Sequence, residues 1–102
     1  MLSFLKNMFQ NGNDGLADAL QAGAVIVDVR TKAEYQQGHI AESQNIPLDE
    51  IRSKTELIRR WNKPVITVCR SGSRSAMAKD ILSAAGIQVY NGGAWTSLKP
   101  VK

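Results

Sequence analysis

Of 102 residues, only one is cysteine, one histidine and three proline. A single thiol excludes an internal disulfide framework, and one histidine leaves no His/Cys cluster to hold a metal. No metal or cofactor is therefore expected. No apolar run is long enough to cross a bilayer, so no membrane role is expected either. Charge of one sign is not in great excess: 13 basic against 9 acidic residues leave a net +4. The basic residues are scattered and not interleaved with aromatics, which gives little support to nucleic-acid binding and suits a small anionic substrate. Residues 1–10 are apolar but short, contain Lys6 and Asn7, and lack a small-residue cleavage site. They make a poor secretory signal, so a cytoplasmic location is the expectation. Internal repeats and low-complexity tracts are absent. The length allows one domain with one modest core.

What the chain does contain is concentrated after residue 64. The β-branched run Val65-Ile66-Thr67-Val68 ends at Cys69, and Arg70-Ser71-Gly72-Ser73-Arg74 follows before a helical pattern begins. This reads as a strand, a tight loop and a helix, with the thiol at the strand's carboxyl end, where open α/β sheets bind ligands. A thiol attacks only as thiolate, and a helix N-terminus, unpaired loop amides and nearby arginines all favour that form. Gly72 permits positive φ, so successive N–H groups can turn inward as an anion nest. Arg70 and Arg74 add permanent charges whose forked donors match a small oxyanion. Ser71, Ser73 and Ser75 can cap the helix or contact a ligand, and the sequence does not divide those jobs. A lone cysteine is ordinarily an inert small hydrophobe. The glycine, the two arginines and the strand-to-helix position together turn this one into a catalytic thiolate cradle.

Taken in order, residues 1–10 predict a short helix and residues 11–15 a turn. Residues 16–22 predict a helix ended by Gly23. Residues 24–29 read as a strand buried on both faces, interrupted by Asp28. A buried acid needs a partner, and Arg30 or loop amides are the candidates. Thr31 and Glu34 fit a capping box opening a helix over residues 32–37, and Arg30 is placed to pair electrostatically with Glu34. His39 reads as a hydrogen-bonded structural residue. A short strand over residues 43–46 leads to one amphipathic helix over residues 48–61, with Leu57 on its apolar face. After the loop, Met77, Ala78, Ile81, Leu82 and Ala85 form the core face of a helix. Residues 87–90 predict the last strand, Asn91-Gly92-Gly93 a turn beside Cys69, and residues 94–98 a helical turn bearing Trp95, which shields the site or packs. Strands alternating with helices imply right-handed crossovers and a parallel sheet.

Val27-Asp28-Val29-Arg30 with Glu34-Tyr35, Gly38-His39-Ile40, Asn45-Ile46-Pro47, the loop from Cys69 to Arg74, and Gly92-Gly93 before Trp95 stand here in one order and spacing. Through them the chain resembles the single-domain rhodaneses, sulfurtransferases of the thiosulfate:cyanide type, over residues 16–98. The resemblance implies an α/β fold, a rhodanese-like parallel β-sheet of four to five strands with helices on both faces. It places an N-terminal helix and turn (1–15) before a rhodanese-like domain (16–102). It makes Cys69 the residue that carries sulfur as a persulfide, gives Arg70, Ser71, Gly72, Ser73 and Arg74 to substrate binding, and leaves Asp28, Arg30 and Glu34 as structural support. The family's usual first strand and Ser-Pro-Glu helix entry are not visible in residues 1–15.

The expected reaction moves sulfur from a small anionic donor such as thiosulfate to cyanide or a thiol, the acceptor being a small molecule or a protein. Two rivals stand beside it. A cysteine phosphatase or arsenate reductase also cradles an oxyanion, but its loop usually places five residues between cysteine and arginine, whereas Cys69 and Arg74 enclose four. A non-catalytic rhodanese-like binding module commonly lacks the cysteine present here.

Overall fold

The computed structural model describes residues 15–98. The helix expected over residues 1–10 lies outside them. Helix α1 spans Leu16–Gln21, with Gly23 behind it at φ +85°, the left-handed position that ends a helix. Strand β1, Val25–Asp28, leads to α2, Lys32–Gln36, and to the two-residue strand β2, Gln44–Asn45. Then come α3 (Leu48–Ile51), a 3₁₀ turn (Arg52–Lys54), α4 (Thr55–Arg60), β3 (Val65–Cys69), α5 (Ser73–Ala84), β4 (Val89–Ala94) and α6 (Trp95–Leu98). The four strands lie in the order β2-β1-β3-β4 and every pairing is parallel.

Central strand β3 is buried at all five positions, which explains its unbroken run of β-branched residues. Side chains alternate across it. Val65 and Cys69 join Val27, Ile51, Ile58, Ala78 and Leu82 on the face covered by α3, α4 and α5. Ile66 and Val68 join Leu16, Ala19, Ile26, Ile40 and Leu98 on the face covered by α1 and α6. This period of two turns the sulfur toward α5.

Three elements differ from the sequence reading. The helix expected over residues 48–61 is broken in the middle. Ser53 Oγ donates to the Glu50 carbonyl at 2.9 Å and Thr55 Oγ1 to the Arg52 carbonyl at 3.2 Å, so hydroxyls compete with the backbone ladder and the chain tightens to 3₁₀ there. The break also leaves Leu57 half exposed instead of in the core, and Met77 on α5 is likewise exposed. The expected Asn91-Gly92-Gly93 turn is strand: β4 runs through it with a bulge, Thr67 pairing with Asn91 and Val68 with Gly93. Gly92 is the extra residue. A Cβ on it would lie 2.8 Å from Ile66 Cγ2 and 2.9 Å from Val68 Cγ1, so glycine is needed for the close approach of β4 to β3.

Candidate active site

The site is built at the carboxyl end of β3, where the chain turns from Cys69 into α5. Gly72 takes φ +103° and ψ −10° as the N-cap of α5, the positive φ that the sequence led us to expect. That turn aims amides back at the thiol. Gly72 N–H donates to Cys69 Sγ at 3.0 Å and Ser75 N–H at 3.3 Å, while Ser75 Oγ lies 3.4 Å from the sulfur. Cys69 is only 1 % exposed, and burial pushes its thiol up. The Ser75 hydroxyl and the amides of Ser75, Gly72 and Ser71 outweigh that, so the net displacement is downward, toward thiolate.

Ser75 is the serine with the most work here, and the sequence did not separate it from Ser71 and Ser73, which are exposed. It is fully buried, and its hydroxyl also reaches Asn91 Oδ1 at 2.7 Å and the Gly72 carbonyl at 3.0 Å. Asn91 Oδ1 accepts in turn from Gly93 N–H at 2.9 Å, and Thr67 Oγ1 donates to the Ser75 carbonyl at 2.9 Å. Asn91 and Thr67 were missed as site residues. The available signal was the period-two pattern: Thr67 lies two residues before Cys69 on the same face, and the bulge sets Asn91 opposite Thr67.

Asp28 and Arg30 form the second group. Asp28 is fully buried, and both of its carboxylate oxygens accept from the Arg30 guanidinium, with Nη2 at 2.7 Å and Nε at 2.9 and 3.1 Å. The same guanidinium donates to the Gly38 carbonyl at 2.7 Å and lies over the Trp95 ring, 4.7 Å from its centroid. Trp95 therefore packs on the buried pair. His39 is hydrogen-bonded through Nδ1 to the Tyr35 carbonyl at 2.7 Å and stacks on the Tyr35 ring, in line with a structural role.

Glu34 completes the capping box with Thr31, as its spacing indicated. Its carboxylate does not pair with Arg30, which reaches only the Glu34 backbone carbonyl at 3.4 Å. It takes Arg74 instead, at 2.8 and 3.0 Å in a forked pair that ties α2 to α5. Arg74 therefore does not stand free for an oxyanion, as the sequence alone implied: a carboxylate 40 residues away in the chain holds it. Hydrogen bonding to Arg74, aided by the Thr31 amide, lowers the Glu34 carboxyl from the usual 4.5 to about 2, and the same pairing raises Arg74. Arg70 is exposed, and its side chain makes no hydrogen bond or ion pair with the described residues. A cleft of about 300 Å³ adjoins the loop, lined by Arg30, Glu34, Gln37, Gly38, Arg70 and Trp95. Among the described residues no group of three or more His, Cys, Asp or Glu is placed to hold a metal, and no helix is long and apolar enough to cross a membrane.

Fold and site together define a class: parallel α/β domains that hold a thiol in an amide-lined loop at the carboxyl edge of the sheet. The rhodanese-like domain family matches residues 12–96, and the chain belongs to that family. The thiosulfate sulfurtransferase PspE of Escherichia coli is 38% identical over 69 residues, covering 66% of this chain and 66% of that protein. The uncharacterized protein YqhL of Bacillus subtilis is 36% identical over 69 residues, covering 67% of this chain and 54% of its own length. The chain thus spans roughly half to two thirds of these relatives. Among solved structures, a rhodanese-related protein of Thermoplasma volcanium superposes with a TM-score of 0.69 at 33% identity, covering 83% of this chain and 85% of that one. A rhodanese with anions from E. coli gives 0.66 at 34% identity, covering 72% and 89%.

Proposed function

We propose that this protein is a sulfurtransferase that moves sulfane sulfur from thiosulfate, or a related donor, to cyanide or a thiol through a persulfide on Cys69. The observation that carries this reading is the convergence of two backbone N–H groups on one sulfur, at 3.0 and 3.3 Å. The relative named as a thiosulfate sulfurtransferase supports it.

In the first half-reaction the Cys69 thiolate attacks the outer sulfur of thiosulfate. A new S–S bond forms to Cys69, the donor's S–S bond breaks, and sulfite leaves with the electron pair. The amides of the loop, donating to a negative sulfur in a water-poor site, stabilise the charge carried on to the persulfide. Arg70, exposed and without a hydrogen bond or ion pair among the described residues, is the guanidinium available to the donor's oxyanion. In the second half-reaction the acceptor attacks the terminal sulfur, the persulfide bond breaks, and the thiolate returns. With cyanide the product is thiocyanate. The chemistry calls on no metal or cofactor. A reducing cytoplasm suits a lone thiol that must stay unpaired between turnovers.

The intact mass of the chain before and after thiosulfate tests this directly. Wild type should gain one sulfur atom and lose it again on adding cyanide, while Cys69→Ser should gain none. A wild-type chain that takes up no sulfur, or a serine variant that does, rejects the reading. Arg70→Ala should raise the KM for thiosulfate yet leave a preformed persulfide as long-lived as in wild type.

A further inference from the structure

Three arginines surround the loop and its cleft, and two of them are already spent. Arg30 is consumed by Asp28, the Gly38 carbonyl and the Trp95 ring. Arg74 is consumed by Glu34 through two hydrogen bonds. Glu34 also lines the cleft, so its negative charge stands in the same wall as Arg70, beside the loop. Asp28 with Arg30 and Glu34 with Arg74 cancel pairwise, which leaves Arg70 as the cleft arginine with no ion pair among the described residues. A dianionic donor in the cleft then meets one guanidinium that has no counter-ion among the described residues.

Resting on the sulfurtransferase reading, we infer that Glu34 is a specificity-determining residue. By holding Arg74 away from the incoming anion and placing a carboxylate in the cleft wall, it selects against dianionic sulfur donors in favour of donors carrying less negative charge. The capping box alone does not account for a carboxylate: a glutamine at the same helix position serves that motif equally. What glutamine cannot supply is the charge that retains Arg74. The pair is about one-third exposed on each side, 33 % for Arg74 and 30 % for Glu34, so an arriving ligand can reach it.

Glu34→Gln is therefore the test, because it keeps the helix cap and removes the charge. Two sulfane donors are compared, thiosulfate as the dianion and methanethiosulfonate as the monoanion, which loses methanesulfinate where thiosulfate loses sulfite. The variant should lower the KM for thiosulfate about three- to tenfold, as one added unit of positive charge near a dianion implies at moderate screening. The KM for methanethiosulfonate should fall by less, and kcat should change little for either. Equal KM values in variant and wild type for both donors, or an equal change for both, overturn the inference. A second readout does not depend on sulfur transfer: protection of Cys69 by sulfate against alkylation by uncharged iodoacetamide. The variant should be protected at lower sulfate concentrations than wild type, and unchanged protection overturns the assignment. If wild type accepts sulfur from neither donor, the proposed function fails, and the sulfate measurement still decides the role of Glu34.

Discussion

At the scale of single residues, the ionisation of Cys69 depends on a contest between burial and hydrogen bonding. Cys69 is 1 % exposed, which by itself favours the neutral thiol, and Ser75 is the largest of the groups acting the other way. Ser75→Ala keeps the backbone amide at 3.3 Å and deletes the hydroxyl. The pH midpoint of Cys69 alkylation by iodoacetamide should therefore sit below that of a free thiol in wild type and move upward in the variant. An unchanged midpoint would show that the amides suffice alone. Asp28 is the other residue on which much rests. Asp28→Ala strands a 4 % exposed guanidinium without its counter-ion, and such a break typically costs about 3–5 kcal/mol. Thermal unfolding should register it as a large drop in Tm.

At the scale of elements, the bulge in β4 and the bridge between α2 and α5 carry the argument. Gly92→Ala places a methyl 2.8 Å from Ile66 Cγ2 and 3.1 Å from the Thr67 carbonyl in a central pairing, and overpacking of this kind costs about 1–3 kcal/mol. Gly93→Ala meets nothing within 4 Å, but it must adopt φ +77°, a strain of about 1–2 kcal/mol. Denaturant midpoints for the two variants separate crowding from backbone strain. The bridge predicts a pH effect. Glu34 has its folded pKa depressed from 4.5 to about 2, so its contribution is fully present above the unfolded value and lost as pH falls toward 2. Over that window wild type should lose stability more steeply than Glu34→Gln, measured by thermal melts at stepped pH. Parallel curves would mean the pair contributes nothing to folding.

At the scale of the whole molecule, the parallel sheet separates two jobs onto two faces. The alternation of β1 and β3 sends Cys69 and Thr67 toward α5, and Asp28 toward the face where Arg30 meets Trp95. The Cys69 sulfur thus sits over a polar network of Ser75 and Asn91, while the buried ion pair braces the opposite side of the same strand ends. Arg30 and Glu34, from the segment that follows β1, meet Arg70, from the loop that follows β3, at the carboxyl edge. This is the crevice that the α/β architecture leaves open.

Much of this was legible in the residues because local physics decides it. A β-branched run makes a buried strand, Thr31 and Glu34 three apart make a capping box, and Gly72 behind a thiol makes a turn with positive φ. The order of motifs along the chain pointed to the family that the match over residues 12–96 shows. Tertiary structure alone decided the rest. Whether Asn91-Gly92-Gly93 turns or continues a strand depends on how closely β3 lies beside it, and which hydroxyl reaches the sulfur depends on the pitch of α5. The partner of Glu34 is a matter of distance across 40 residues, and a charge pattern read in one dimension assigns it to the nearest arginine. Folding brings Arg74 closer, and the balance of charge around the thiol changes with it.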